Sequence, residues 1–135
     1  MKGAYFLVVE LEERLERWDL EPGLYLYVGS AWGPGGLLAR TKRHLLKSFK
    51  RPKWHVDWLT SRGRPLIAFW FPGATEDEAY EVASKLFEPA VKGFGSTDTQ
   101  HLTHLFKLEP RKLPEALSLL YSLRTRGRRE RREST

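Results

Sequence analysis

Gly23-Leu24-Tyr25-Leu26-Tyr27-Val28-Gly29-Ser30, followed at once by Ala31-Trp32-Gly33-Pro34-Gly35-Gly36, is the stretch on which the reading of this chain turns. Leu24, Leu26 and Val28 alternate with Tyr25, Tyr27 and Gly29, the period-two pattern of a half-buried strand. The Gly/Pro cluster behind it is a turn, because glycine supplies unusual backbone angles and proline interrupts a ladder. Residues 37–49 then read as a basic amphipathic helix. Two tyrosines thus leave a strand beside Gly29, where a second group can approach the backbone, and an Arg-rich helix starts immediately after. That is a way to hold a phosphodiester.

Working outward, residues 3–11 (Gly-Ala-Tyr-Phe-Leu-Val-Val-Glu-Leu) form a β-rich run and are expected as a central strand. Charged residues 12–21 end in the turn signal Glu21-Pro22-Gly23, so 3–11 and 24–30 pair as a hairpin with Tyr5 and Tyr27 on neighbouring strands. Their sharing of one face stays open, since a one-residue slip reverses every side chain. In helix 37–49, Leu37, Leu38, Thr41, Leu45 and Phe49 form the inner stripe. Arg40, His44 and Lys47 recur at i, i+4 and i+7 as a polar stripe of their own.

Trp54-His55-Val56-Asp57-Trp58-Leu59 fits a short helix or a strand, with the helix preferred. Leu66–Phe71 is a continuous apolar run between Pro65 and Pro72-Gly73, read as a buried strand. Thr75 is the expected N-cap of helix 76–88, whose first turn holds Glu76, Asp77 and Glu78 where the helix dipole favours acids. Residues 91–101 are a Gly/Ser/Thr/Asp loop, 104–108 a last strand, and 113–123 a final helix. The pattern is an α+β domain: a small, mainly antiparallel sheet of three or four strands flanked by helices. It spans residues 1–123 as one domain, with 124–135 expected as a disordered basic tail.

Composition bounds the function. The chain has 135 residues, 41% hydrophobic and 30% charged, as an ordinary globular domain does. No apolar run approaches the ~20 residues that span a bilayer. The N-terminus has no signal-peptide layout, and the absence of cysteine excludes disulfides and thiolate metal sites, so a cytoplasmic protein is expected. The net charge of +6 is uneven. Residues 124–135 carry six Arg and two Glu, and residues 40–53 hold seven Lys and Arg with no acid. Two positive blocks on a near-neutral body point to a localised polyanion partner, nucleic acid above all, and not to a membrane.

The residues now on the page resemble the GIY-YIG nuclease superfamily, and within it the Uri-like branch of the DUF123 type. Gly3-Ala4-Tyr5 is similar to the first tripeptide and Tyr27-Val28-Gly29 to the second. Gly33-Pro-Gly-Gly-Leu, Arg40 with Arg43-His44-Leu45, Trp54–Leu59, Gly93–Asp98 and His104-Leu105-Phe106 follow in the matching order, so the resemblance covers residues 3–108. It implies a metal-dependent endonuclease acting on DNA. In that family a tyrosine assists deprotonation of water, an arginine binds the scissile phosphate, and a glutamate from a later helix holds one divalent ion. The implied roles fall on Tyr5 and Tyr27, on Arg40, and on Glu81, with Mg²⁺ or Mn²⁺ as the ion; Glu78, one turn earlier, is the alternative carboxylate. Ala4 departs from the larger aliphatic usual in the first tripeptide, and the 21 residues between Tyr5 and Tyr27 make an unusually long connection.

The chemistry suits the roles. Arginine meets phosphate bidentately and keeps its charge, and a hard carboxylate leaves Mg²⁺ most of its water. A phenol with an ordinary pKa near 10 needs a nearby cation to act as a base. Gly29, Trp32, Arg43, His44 and Lys47 are the candidate nucleic-acid contacts, with Trp32 placed to stack on an exposed base. Against this, tyrosine is common in strands, and His44 on a basic face reads equally as a surface residue. His55 and Asp57 read as local bridges between the tryptophans. His101 and His104, three residues apart near Asp98, can ligate a transition metal. Two rivals remain: a nucleic-acid-binding module that does not cut, and an interaction domain whose tail contacts a protein or RNA.

Overall fold

The computed structural model describes residues 1–133, with side chains described up to Leu123. Its elements run β1 (Gly3–Leu11), β2 (Gly23–Ala31), α1 (Gly36–Leu45), α2 (His55–Arg62), β3 (Arg64–Pro72), α3 (Glu76–Leu86), β4 (Leu105–Lys107) and α4 (Leu113–Glu133). Four antiparallel strands lie in the order β3-β1-β2-β4. This is the α+β class expected. The basic tail expected at 124–135 falls on side chains outside the described residues, and α4 carries the backbone on through residue 133.

Central placement explains the composition of β1. A strand buried on both faces reads as a continuous apolar run, and Ala4 through Val9 are all buried. Ala4, Phe6 and Val8, with Leu26 and Val28 of β2, pack against Ala79, Val82 and Ala83 of α3 and Ala116 and Leu120 of α4. Tyr5, Leu7 and Val9, with Tyr25 and Tyr27, pack against Leu37 of α1, Val56 and Leu59 of α2, and the loop residue Phe94. The sheet is therefore sandwiched between two helical layers. The connection from β1 to β2 is a folded loop: Leu15 and Leu20 bridge each other, and Asp19, left-handed at φ 54°, pairs with Arg14.

The sequence boundaries shift for local reasons. α1 stops at Leu45, because Lys47 turns left-handed at φ 50° and donates its Nζ to the Gly63 carbonyl, 3.2 Å away. Leu38, expected inside, is 63% exposed. α2 is a helix, with Asp57 at its third position accepting the Trp54 N–H at 3.0 Å. Residues 66–71 do not form a buried strand: β3 is the sheet edge, and Leu66 and Ile67 are exposed. An apolar run alone does not distinguish a central strand from an edge shifted by a bulge, here between Val8 and Val9 of its partner. α3 is shorter than expected, ending at Leu86, but starts as read: Thr75 Oγ1 accepts the Glu78 N–H and Glu78 returns its carboxylate to the Thr75 N–H.

Candidate functional site

Register puts the tyrosines on one face. Tyr5 sits opposite Gly29 and Tyr27 opposite Leu7, so the two are diagonal neighbours with ring centroids 6.3 Å apart. Gly29 is required by this arrangement, since a Cβ there would overlap the Tyr5 ring. The group that approaches the Gly29 backbone is thus Tyr5, and Gly29 is buried rather than offered to nucleic acid.

His44 is the second correction. It is fully buried on the Leu37–Thr41–His44 stripe of α1, not on a surface stripe with Arg40 and Lys47. Its Nε2 lies 2.7 Å from the Tyr5 hydroxyl. Burial above all, helped by Arg40 and Arg43 and opposed by Asp57, lowers its pKa to about 4, so the ring is neutral at ordinary pH. Its Nδ1 is buried without a hydrogen-bond partner. Burial raises Tyr5 well above the ordinary phenol value, with Tyr27 and Glu76 adding to the rise and a side-chain hydrogen bond from Arg40 opposing it. Tyr27 is raised too, by burial and then Glu76. Both phenols are protonated at rest. A neutral imidazole accepts the Tyr5 hydroxyl hydrogen bond, and the Tyr5 oxygen is left to receive the Arg40 guanidinium, so the pair fixes where that guanidinium sits.

Next to this face opens a groove of about 550 Å³ whose lining includes Tyr27, Ser30, Trp32, Arg40, Lys53 and Glu76, with Gly95 to Thr99 along one side. Arg40 lies over the Trp54 ring at 4.3 Å, a cation–π contact that holds the guanidinium at the groove without neutralising it. Trp32, 49% exposed, stands at the rim where the sequence suggested a stacking platform. Arg43 and Lys47 are not part of the groove wall. Arg43 pairs with buried Asp57 at 2.7 Å and packs on Phe49 and Trp54, and Lys47 is spent on Gly63.

The α3 carboxylate at the groove is Glu76 and not Glu81. Glu81 is on the exposed face of α3, paired with Lys85 at 3.5 Å. Five helical positions separate the two glutamates, a rotation of ~140° about the axis, so α3 cannot bring both to the sheet. Glu76, in the first turn, accepts the Ser30 hydroxyl at 3.0 Å and acts electrostatically on both tyrosines. Glu78, the alternative, has its carboxylate on the Thr75 cap. Beside Glu76 stand two histidines that the sequence had marked: His104 Nε2 lies 3.4 Å from Glu76 Oε1 and 2.8 Å from His101 Nδ1. One donor atom from each of the three falls within 4.8 Å of the others, as in metal-binding groups. His55 is not a local bridge between the tryptophans: its Nδ1 accepts the N–H of Gly95, distant in sequence, at 2.8 Å.

Fold and site together define an α+β domain with a polar groove at the open edge of its sheet, lined by a cationic wall and a carboxylate. The chain belongs to the family described as a domain of unknown function, DUF123, whose family model matches residues 4–124. No curated protein and no solved structure matches it. Among the described residues no helix is long and apolar enough to cross a membrane.

Proposed function

We propose that this domain belongs to the GIY-YIG superfamily and hydrolyses phosphodiester bonds in DNA with the help of one divalent ion. The observation that carries the reading is the convergence of Arg40, Tyr27 and Glu76 on one groove, with the Tyr5–His44 pair behind. Four of the five residues are those, or neighbours of those, on which the family resemblance rests.

Arg40 binds the phosphate and neutralises charge as it grows on the non-bridging oxygens. Tyr5 receives that guanidinium from behind and is itself held by His44, so the two are positioning residues. Tyr27, on the groove floor, orients the attacking water by hydrogen bonding in its neutral form. Glu76 fits as the holder of a divalent ion: it keeps lone pairs after accepting from Ser30, and it faces a groove open to water. When bound, the ion supplies the positive charge that lowers the pKa of water and stabilises the leaving oxygen. Mg²⁺ and Mn²⁺ are the ions expected.

The test is cleavage of plasmid, single-stranded and branched DNA with either ion. Wild type and Glu81→Ala should nick equally, while Arg40→Ala and Glu76→Ala should each lose about a hundredfold or more. Equal cutting by all four proteins would refute the assignment. Salt-sensitive DNA binding with no cutting would replace it with a binding module on the same groove.

A further inference from the structure

We infer that Glu76, His101 and His104 form a transition-metal site, with Asp77 as the carboxylate that positions His101. The contact between His101 and Asp77 fixes one ring proton. His101 Nε2 lies 2.6 Å from Asp77 Oδ1. A carboxylate only accepts, so Nε2 carries the proton, and in a neutral ring Nδ1 is then a bare lone pair. That Nδ1 points at His104 Nε2, 2.8 Å away.

Glu76 Oε1 adds a third donor atom, 3.4 Å from His104 Nε2. One donor atom from each of the three residues falls within 4.8 Å of the others, close enough for a single cation at their centre to be coordinated by all three. The surroundings hold the donors in place: His101 stacks on Tyr80 at 3.9 Å with the planes 10° apart, and the Tyr80 hydroxyl accepts the Leu102 N–H. His104 is 2% exposed. A histidine that donates its far nitrogen to a carboxylate while its near nitrogen faces the ion is the usual support of a ligating imidazole.

Two imidazoles and one carboxylate suit Zn²⁺ and its borderline neighbours, whereas Mg²⁺ requires oxygen donors. Three protein donors also leave a position for water, as catalytic zinc sites do. The site shares Glu76 with the function proposed above but stands without it, because its geometry makes no use of Arg40 or the tyrosines.

The test is calorimetric titration of the chelator-treated full chain with Zn²⁺ and with Mg²⁺, alongside Co²⁺ loading followed by visible absorption. The expected result is one Zn²⁺ per chain, bound far more tightly than Mg²⁺, and the absorption of a low-coordinate Co²⁺ centre. His101→Ala should abolish binding. Asp77→Asn, a change at an exposed residue that leaves the ligands intact, should weaken Zn²⁺ about 10- to 100-fold. Folded wild type that takes no Zn²⁺, or a His101→Ala protein that binds it as well as wild type, overturns the inference. Zn²⁺ binding without any DNA cleavage upholds the site and removes the nuclease; cleavage with Mg²⁺ and no Zn²⁺ binding does the reverse.

Discussion

Acidification should destabilise this protein through His44 in a way that one substitution isolates. An unfolded histidine titrates near 6.5, and His44 in the folded chain titrates at about 4. Between those values the unfolded state binds the proton and the folded state does not. Stability therefore rises with pH across the window and is lost as pH falls through it. The full difference of about 2.5 pH units corresponds to roughly 3 kcal/mol, of which about 2 kcal/mol is gone by pH 5 relative to pH 7. His44→Gln keeps a hydrogen-bonding group beside the Tyr5 hydroxyl but cannot titrate. Urea melts at pH 7, 6 and 5 read the effect: with a slope near 2 kcal/mol/M, the wild-type midpoint should fall about 1 M further than the mutant's. His55 and His104, whose pKa values are also lowered by burial, contribute equally to both curves. Parallel pH profiles would show that His44 is not held neutral, and its role as hydrogen-bond acceptor for Tyr5 would fall.

Two further perturbations probe the frame of the site. Gly29→Ala should cost about 1–3 kcal/mol, the range for overpacking a tight core, because the new methyl must displace a Tyr5 ring that is 1% exposed; an unchanged thermal midpoint would contradict the packing of Tyr5 on the Gly29 backbone. Thr75→Ala removes the acceptor for the Glu78 N–H at the start of α3 and should cost about 1 kcal/mol in a denaturant melt. A change within error would mean that Glu78 and the rest of the first turn hold the helix without the cap.

Much of the fold was legible because it is written in local patterns. The Leu24–Leu26–Val28 alternation, the unbroken apolar β1, the Gly/Pro punctuation and the Thr75 cap each act within a few residues and place their elements, although α1 and α3 end earlier than read and β2 is buried on both faces rather than one. The site was legible where chain order alone mattered, as with Tyr5, Tyr27 and Arg40. It failed where the answer depended on how an element is aimed. His44 could belong to a stripe with Arg40 or with Leu37 and Thr41, and the second stripe was present in the sequence at i, i+4 and i+7. Glu76 and Glu81 are equally acidic and equally helical; which one meets the sheet depends on the rotation of α3, which its packing through Ala79, Val82 and Ala83 decides. That stripe, had it been used as a compass, points away from Glu81. The exposure of Leu66 and Ile67 had no local signal at all, since edge position is a property of topology.

The groove itself follows from a short strand. β4 pairs with β2 only from Tyr25 to Tyr27, and after it the Val28 N–H goes to the His104 carbonyl. Past that point the chain before β4 swings out through Gly95, left-handed at φ 68° and close against the Tyr27 ring, which is what lets the loop turn aside. A longer β4 would run its backbone beside Gly29–Ala31 and fill the space. What lines the opening is sorted by charge. Arg43 is neutralised by Asp57, so Arg40 and Lys53 carry the positive wall, while Glu76 and Asp98 stand among the groove's acids. A uniformly basic groove would bind a polyanion and nothing else. One lined by both a guanidinium and carboxylates has room for a phosphate and a cation side by side, and under the proposed nuclease reading that pairing is what would separate cutting from mere grip.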